Sequence, residues 1–168
     1  LDKKVENTVR RSMFSVVTLD LEGVLVPEMW IEFAEKTGIE ELRLTTRDIP
    51  VYDDLMAHRL RILDAKGFKL ADIQDVIRQT EPFQGALEFL NRLRKKTQVV
   101  ILSDTFLQFA GPLMEKLQMP TIFCNALEVD PNGRIRHWVM RQQDGKRKAV
   151  QGFHSMGLKV YASGDSYN

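Results

Sequence analysis

A single cysteine, Cys124, is all that the 168-residue chain contains, which excludes an internal disulfide and any cysteine-cluster metal site. Its apolar neighbours predict a buried thiol. No run approaches the ~18 apolar residues of a membrane span. The amino end, "LDKKVENTVRRS", is charged where a signal peptide is apolar. Charge of one sign is also lacking. The 24 Lys and Arg face 23 Asp and Glu, so the net charge of +1 offers no basic field for nucleic acid. There is no Gly-rich loop of the Walker type, no repeat and no heptad, and His58, His137 and His154 lack metal-ligand spacing. These absences predict a cytoplasmic protein with neither membrane nor nucleic-acid partner; they leave the oligomeric state open.

With 43% hydrophobic residues, the chain can bury one sizeable core. The run "FSVVTL" (residues 14–19) is short, β-branched and nearly continuous in apolar character, the pattern of a buried strand in a parallel sheet. It stops at Asp20, and Glu22 follows one residue later. In open α/β sheets ligands bind at the carboxyl ends of strands, so a carboxylate placed there is a candidate for chemistry. Capping of a following helix is the competing account of either residue.

Helical patterns then follow one another. "PEMWIEFAEKTG" and "IPVYDDLMAHRLRILDAKG" each carry proline near the start and glycine at the stop, and "LADIQDVIRQ" is a third helix. Residues 26–82 show no strand signal and predict a helical insertion. "GALEFLNRLRKK" predicts a helix leading into "QVVILSDT", a second strand ending in Ser103 and Asp104. "FLQFAGPLMEKLQM" predicts a helix broken at Gly111-Pro112. "TIFCNALEV" is a strand, and Pro131-Asn132-Gly133 predicts a hairpin turn. "KRKAVQGFHSMG" is a helix closed by Gly157, and "KVYASGDS" is a last strand ending at Asp165.

A parallel sheet brings these strand ends to one edge, so Asp20, Glu22, Ser103, Asp104 and Asp165 are expected in one site. Converging carboxylates must be paired, protonated or metal-bound. Magnesium suits them, because a hard cation binds one or two carboxylates together with substrate phosphate. The "GKRK" run (145–148) supplies a cation, with Lys146, Arg147 and Lys148 equal candidates on spacing alone.

The ordered set "DLEGVL", "ILSD", "GKRK" and "GDSYN" resembles the haloacid-dehalogenase-like phosphatases. "LDLEGVLVPE", "TTRDIP", "RLRILD" and "VVILSDTF" resemble in particular the branch of phosphoserine phosphatases and phosphoserine:homoserine phosphotransferases, from about Phe14 to Asn168. Glu22 stands where most of the superfamily has Asp, as in that branch. The resemblance implies a Rossmann-like α/β core, residues 13–25 and 83–168, with a helical cap at 26–82 and an amino-terminal extension at 1–12. It also implies that the C-terminal part of the core is missing, since the chain stops one residue short of the final Asp in the Gly-Asp-x-x-x-Asp motif.

By the same resemblance, Asp20 is the nucleophile and Glu22 the general acid and base. Mg2+ is held by Asp20, the backbone carbonyl of Glu22 and Asp165. Ser103, Asp104 and Lys146 lie on the phosphate side, while Glu28 takes the ammonium and Arg59 the carboxylate of O-phosphoserine. Water and homoserine remain alternative acceptors. On its own pattern, Arg59 in "HRLR" is more often a solvated helical arginine. Trp30 and Trp138 are expected to pack in the cap and the hairpin. The competing functions are a receiver-type phosphoryl switch and a non-catalytic fragment of such a phosphatase.

Overall fold

The computed structural model describes residues 14–165. The expected extension at 1–12 and the end of the "GDSYN" run, Ser166 to Asn168, lie outside the described residues. Five strands are present among the described residues: β1 (Ser15–Leu19), β2 (Gln98–Phe106), β3 (Thr121–Val129), β4 (Ile135–Val139) and β5 (Lys159–Ser163). They form one sheet in the order β4-β3-β2-β1-β5. β1 lies between β2 and β5 and is parallel to both. β3 adds parallel to β2, and β4 returns antiparallel along β3. The apolar run of β1 follows from this position, since Val16 and Leu19 are buried where the sheet is covered.

Between β1 and the next strand lie α1 (Met29–Thr37), a 3-10 turn (Glu40–Arg43), α2 (Tyr52–Lys66), α3 (Leu70–Gln79) and α4 (Ala86–Arg94). No strand occurs from Pro27 to Gly85. α1 and α2 end at Gly38 and Gly67 in left-handed geometry, and they start at Met29 and Tyr52, two residues after the prolines. This helical segment has no core of its own. Phe33, Leu42, Met56, Leu63 and Ile73 join Leu19, Ile101, Phe106 and Phe109 in one apolar cluster. Cys124 is buried as expected.

The break expected at Gly111-Pro112 does not occur: α5 runs unbroken from Leu107 to Lys116 with Pro112 inside it. A proline at this position removes the N–H that the carbonyl of Gln108 should accept. The Gln74 side-chain amide of α3 donates to that carbonyl at 2.9 Å instead. Gln108 in turn spans to β3, its amide donating to the Leu127 carbonyl at 2.8 Å and its oxygen accepting the Leu127 N–H at 3.0 Å.

The β3–β4 hairpin turns at Asp130, whose carboxylate accepts the N–H groups of Asn132 and Arg134 at 2.9 and 3.0 Å. It also reaches the helical segment. The Gly133 carbonyl accepts the Leu70 N–H at 2.9 Å, and the Trp138 indole donates to Asp53 of α2 at 3.1 Å. Finally α6 (Gly145–Ser155) connects β4 to β5 and ends near Gly157 at φ 83°.

Candidate active site

Asp20 directly follows β1 and is still registered by the sheet, its N–H donating to the Ser163 carbonyl of β5 at 3.0 Å. Oδ1 accepts the Leu21 N–H at 2.8 Å. Oδ2 accepts Lys146 Nζ at 2.6 Å. Lys146 is the second residue of α6, and its ammonium also lies 3.1 Å from Asp104 Oδ2. Sequence alone left three basic residues equal, and the fold separates them. Arg147 turns to Asp144 at 2.6 Å in solvent and Lys148 is exposed, so Lys146 is the one that reaches the carboxylates.

Asp104 is presented by an irregularity in β2. Leu102 pairs with Phe123 and Phe106 with Asn125, so β2 spends four residue steps where β3 spends two. The irregular stretch holds Ser103, Asp104 and Thr105, and such bulges re-aim side chains out of the pleat. The Asn125 amide donates to the Asp104 carbonyl at 3.1 Å, tying the bulge down. Ser103 is buried, and its hydroxyl accepts the Thr105 N–H at 3.2 Å. It lies beside Lys146 and Asp104 but not in the wall of the cavity that Asp20, Glu22 and Asp165 line.

Glu22 sits in a tight turn closed by Leu25 N–H to Leu21 C=O at 2.8 Å. Its Oε1 accepts the Met29 N–H at 2.8 Å, at the start of α1. The helix-capping account of this carboxylate is therefore correct as far as one oxygen goes, and the side chain still lines the cavity. Gly23, at φ 74°, is the position in this turn that only glycine suits. A Cβ there would run into the Asp165 carboxylate, with Cγ at 2.7 Å.

Asp20, Glu22, Glu28, Asp104 and Asp165 line one cavity of about 440 Å³ together with Arg47, Arg59 and Lys146. Crowded acids perturb one another. Burial, then the charge of Glu28, pushes the Glu22 carboxyl up to about 8, against the Met29 N–H that favours its anion. Burial also raises Asp20, with Lys146 and the Leu21 N–H pulling back. Loss of water raises Glu28, and Asp165 and Asp20 add to it. For Lys146, burial favours the neutral amine but Asp104 and Asp20 outweigh it, and the ammonium is held above its ordinary range.

Among the described residues no three Asp, Glu, His or Cys side chains cluster at metal-binding spacing. The expected magnesium set needs only two carboxylates and a carbonyl. Asp20 and Asp165 face one cavity in which negative groups repel and outnumber the cations, and all are hard oxygen donors, so the residues present fit Mg2+.

Arg59 is buried at 8% exposure on α2, which overturns the solvated-helix account. Its Nη2 donates to the Leu44 carbonyl at 2.8 Å and its guanidinium lies 4.6 Å from the Trp30 ring centroid. Burial lowers its pKa to about 10, so it stays charged at neutral pH. Tyr52 and Arg47 are among the cavity residues not singled out from the sequence. Tyr52 lies seven positions, or two helical turns, before Arg59 and so on the same face of α2, a spacing that could have revealed it. Arg47 sits in an exposed loop with no periodicity to mark it.

No family model matches the chain. It is 57% identical over 153 residues to the phosphoserine phosphatase ThrH of Pseudomonas aeruginosa, covering 91% of this chain and 75% of that one. It is 56% identical over 162 residues to a phosphoserine phosphatase of Pseudomonas syringae pv. tomato, covering 96% and 68%. In fold it matches the crystal structure of a phosphoserine phosphatase from T. onnurineus with a TM-score of 0.70 at 23% identity, covering 94% and 78%. A mostly parallel sheet with β1 between β2 and β5 and a carboxylate at the end of β1 is the haloacid-dehalogenase-like fold class. Within that class, the chain belongs to the phosphoserine phosphatase family. No helix among the described residues is long and apolar enough to cross a membrane.

Proposed function

We propose that the protein is a Mg2+-dependent phosphatase of O-phosphoserine, acting through an aspartyl phosphate on Asp20, with homoserine as an alternative acceptor to water. The observation that carries this is the Lys146 ammonium shared between Asp20 and Asp104 at 2.6 and 3.1 Å, beside a Glu22 whose pKa is pushed to about 8. The names of the two Pseudomonas relatives support the substrate.

Asp20 attacks phosphorus in line, the bond to the serine oxygen breaks, and protonated Glu22 gives its proton to that oxygen. Serine leaves, and Glu22 is now a carboxylate. It takes a proton from water, whose oxygen attacks phosphorus and restores Asp20 with release of phosphate. Homoserine attacking in place of water gives O-phosphohomoserine. Asp20, the Glu22 carbonyl and Asp165 would hold Mg2+, which supplies neutralisation of the charge between a carboxylate and a phosphate dianion. Lys146, Asp104 and Ser103 stand on the phosphate side, and the positive end of α6 adds to Lys146 there.

The helical segment at 26–82 acts as the cap that reads the amino acid. Glu28 at the rim takes the ammonium and Arg59 in the wall takes the carboxylate, opposite charges for the two ends of a zwitterion. A cavity of about 440 Å³ is within the range of small-molecule sites, about 300–1,000 Å³.

The test is turnover of O-phosphoserine with Mg2+ present, followed with and without homoserine. Repeated phosphate release that is lost in Asp20→Asn supports the enzyme, and O-phosphohomoserine formation supports the second acceptor. A single stoichiometric phosphorylation would mean a receiver-type switch. No turnover by a folded chain would overturn the proposal.

A further inference from the structure

Arg59 is a buried cation of the site with donors left open. Among the described residues it makes no salt bridge, its Nη1 reaches only Met56 Sδ at 4.0 Å, and its buried Nε has no acceptor. Among the described residues its one bond to an oxygen is to the Leu44 carbonyl. What else holds it is the face of Trp30, 4.6 Å from the guanidinium carbon. Trp30 is itself buried, at 8% exposure, near the start of α1. Its ring meets Phe109 of α5 edge to face, with centroids 5.5 Å apart and planes at 70°. Phe109 is in turn edge-on to Phe106 at the end of β2, in the strand that carries Asp104. An aromatic ladder thus runs from the sheet edge to the cap's arginine.

We propose that Trp30 is a positioning residue for substrate selection, its ring, braced by Phe109, holding the Arg59 fork where it receives the carboxylate of the phosphorylated amino acid. The proposal rests on the reading that Arg59 binds that carboxylate. A tryptophan face suits the task because it offers the strongest side-chain site for a guanidinium and takes up none of its donors. The fork's open N–H groups are thereby left for the substrate. Trp30 is therefore more than packing: it fixes the distance between the carboxylate site and the phosphate site by tying a cap residue to a core helix.

The probe pair is O-phosphoserine and O-phosphoethanolamine, which keeps the ammonium and phosphate and lacks the carboxylate. Trp30→Met should lower kcat/KM for O-phosphoserine about ten- to thirtyfold relative to O-phosphoethanolamine, the weight of a desolvated cation–π contact. Most of the loss should appear in KM, and Trp30→Phe should recover part of it. Equal losses on both esters would show a packing role only and overturn the proposal. Arg59→Ala is measured alongside. If it leaves the ratio unchanged, the assignment of Arg59 to the carboxylate falls; if it collapses the ratio and Trp30→Met does not, the role of Trp30 falls alone. Should Trp30→Met not fold, Trp138→Phe leaves Trp30 as the single indole. Its emission should then respond to O-phosphoserine and not to O-phosphoethanolamine, and an equal or absent response overturns the proposal.

Discussion

Lys146 and Asp20 are 126 positions apart in the chain, and their charged ends meet at 2.6 Å. The contact joins the end of β1 to the first turn of α6, so the ammonium neutralises the carboxylate that the sheet presents, and Asp104 shares it. Lys146→Met leaves both acids unpaired in a cavity already crowded with carboxylates. Turnover of O-phosphoserine should fall by about 10²–10³-fold, the loss typical of removing one charge-stabilising donor. Circular dichroism should show an unchanged fold. Retention of near wild-type turnover would remove Lys146 from the phosphate site.

Glu22 gives a pH signature with a definite sign. Only the protonated acid can give a proton to the departing oxygen, so kcat/KM should fall as pH rises through about 8. Glu22→Gln should lose this limb along with most of the rate. Folding is linked to the same proton. The native state keeps it above the ordinary carboxyl value of 4.5, so the stability it contributes is fully present below that value and is lost as pH rises through about 8. Thermal unfolding from pH 5 to 9 should show Tm declining in the wild type and less so in Glu22→Gln, whose amide oxygen still accepts the Met29 N–H.

Gly23 separates backbone strain from damage to the site. Gly23→Ala meets both a φ of 74° and the Asp165 carboxylate, whereas Gly157→Ala meets a φ of 83° with nothing within 4 Å. Left-handed backbone costs a non-glycine residue roughly 1–2 kcal/mol, so both variants should lose Tm. Only Gly23→Ala should also need more Mg2+ for half-maximal turnover. Equal magnesium dependence in the two variants would show that Asp165 does not belong to the metal site.

Pro112 persists inside α5 because Gln74 accepts the task of the missing N–H. Gln74→Ala orphans the Gln108 carbonyl and should destabilise by about 1–3 kcal/mol in denaturant unfolding. In a Pro112→Ala background, where the backbone N–H returns, the same change should cost much less. Additivity of the two substitutions would show that the amide and the proline are not coupled.

Much of the arrangement was legible from local pattern. β1 announced itself by β-branched apolar residues ending in a carboxylate, α1 and α2 by proline and glycine punctuation, and the hairpin by Pro131-Asn132-Gly133. These are properties of a few neighbouring residues, set by backbone sterics and by period. Ordered motifs then named a family that the relatives bear out. Where partners came from elsewhere in the chain, local pattern failed. "GKRK" offered three equal cations, and only the docking of α6 beside β1 chose Lys146. "HRLR" by itself favoured a solvated arginine, and only packing against Trp30 and Leu44 buried it. Gly111-Pro112 signalled a break, and an amide from another helix removed it. Glu22 read as either a cap or a catalytic acid, and the fold makes it a cap through one oxygen while burial raises its pKa. Composition and order determined which chemical groups this chain carries and which strand ends carry them. Tertiary structure decided which of those groups are desolvated and paired, because burial and Coulomb energy depend on distances that no window of sequence contains.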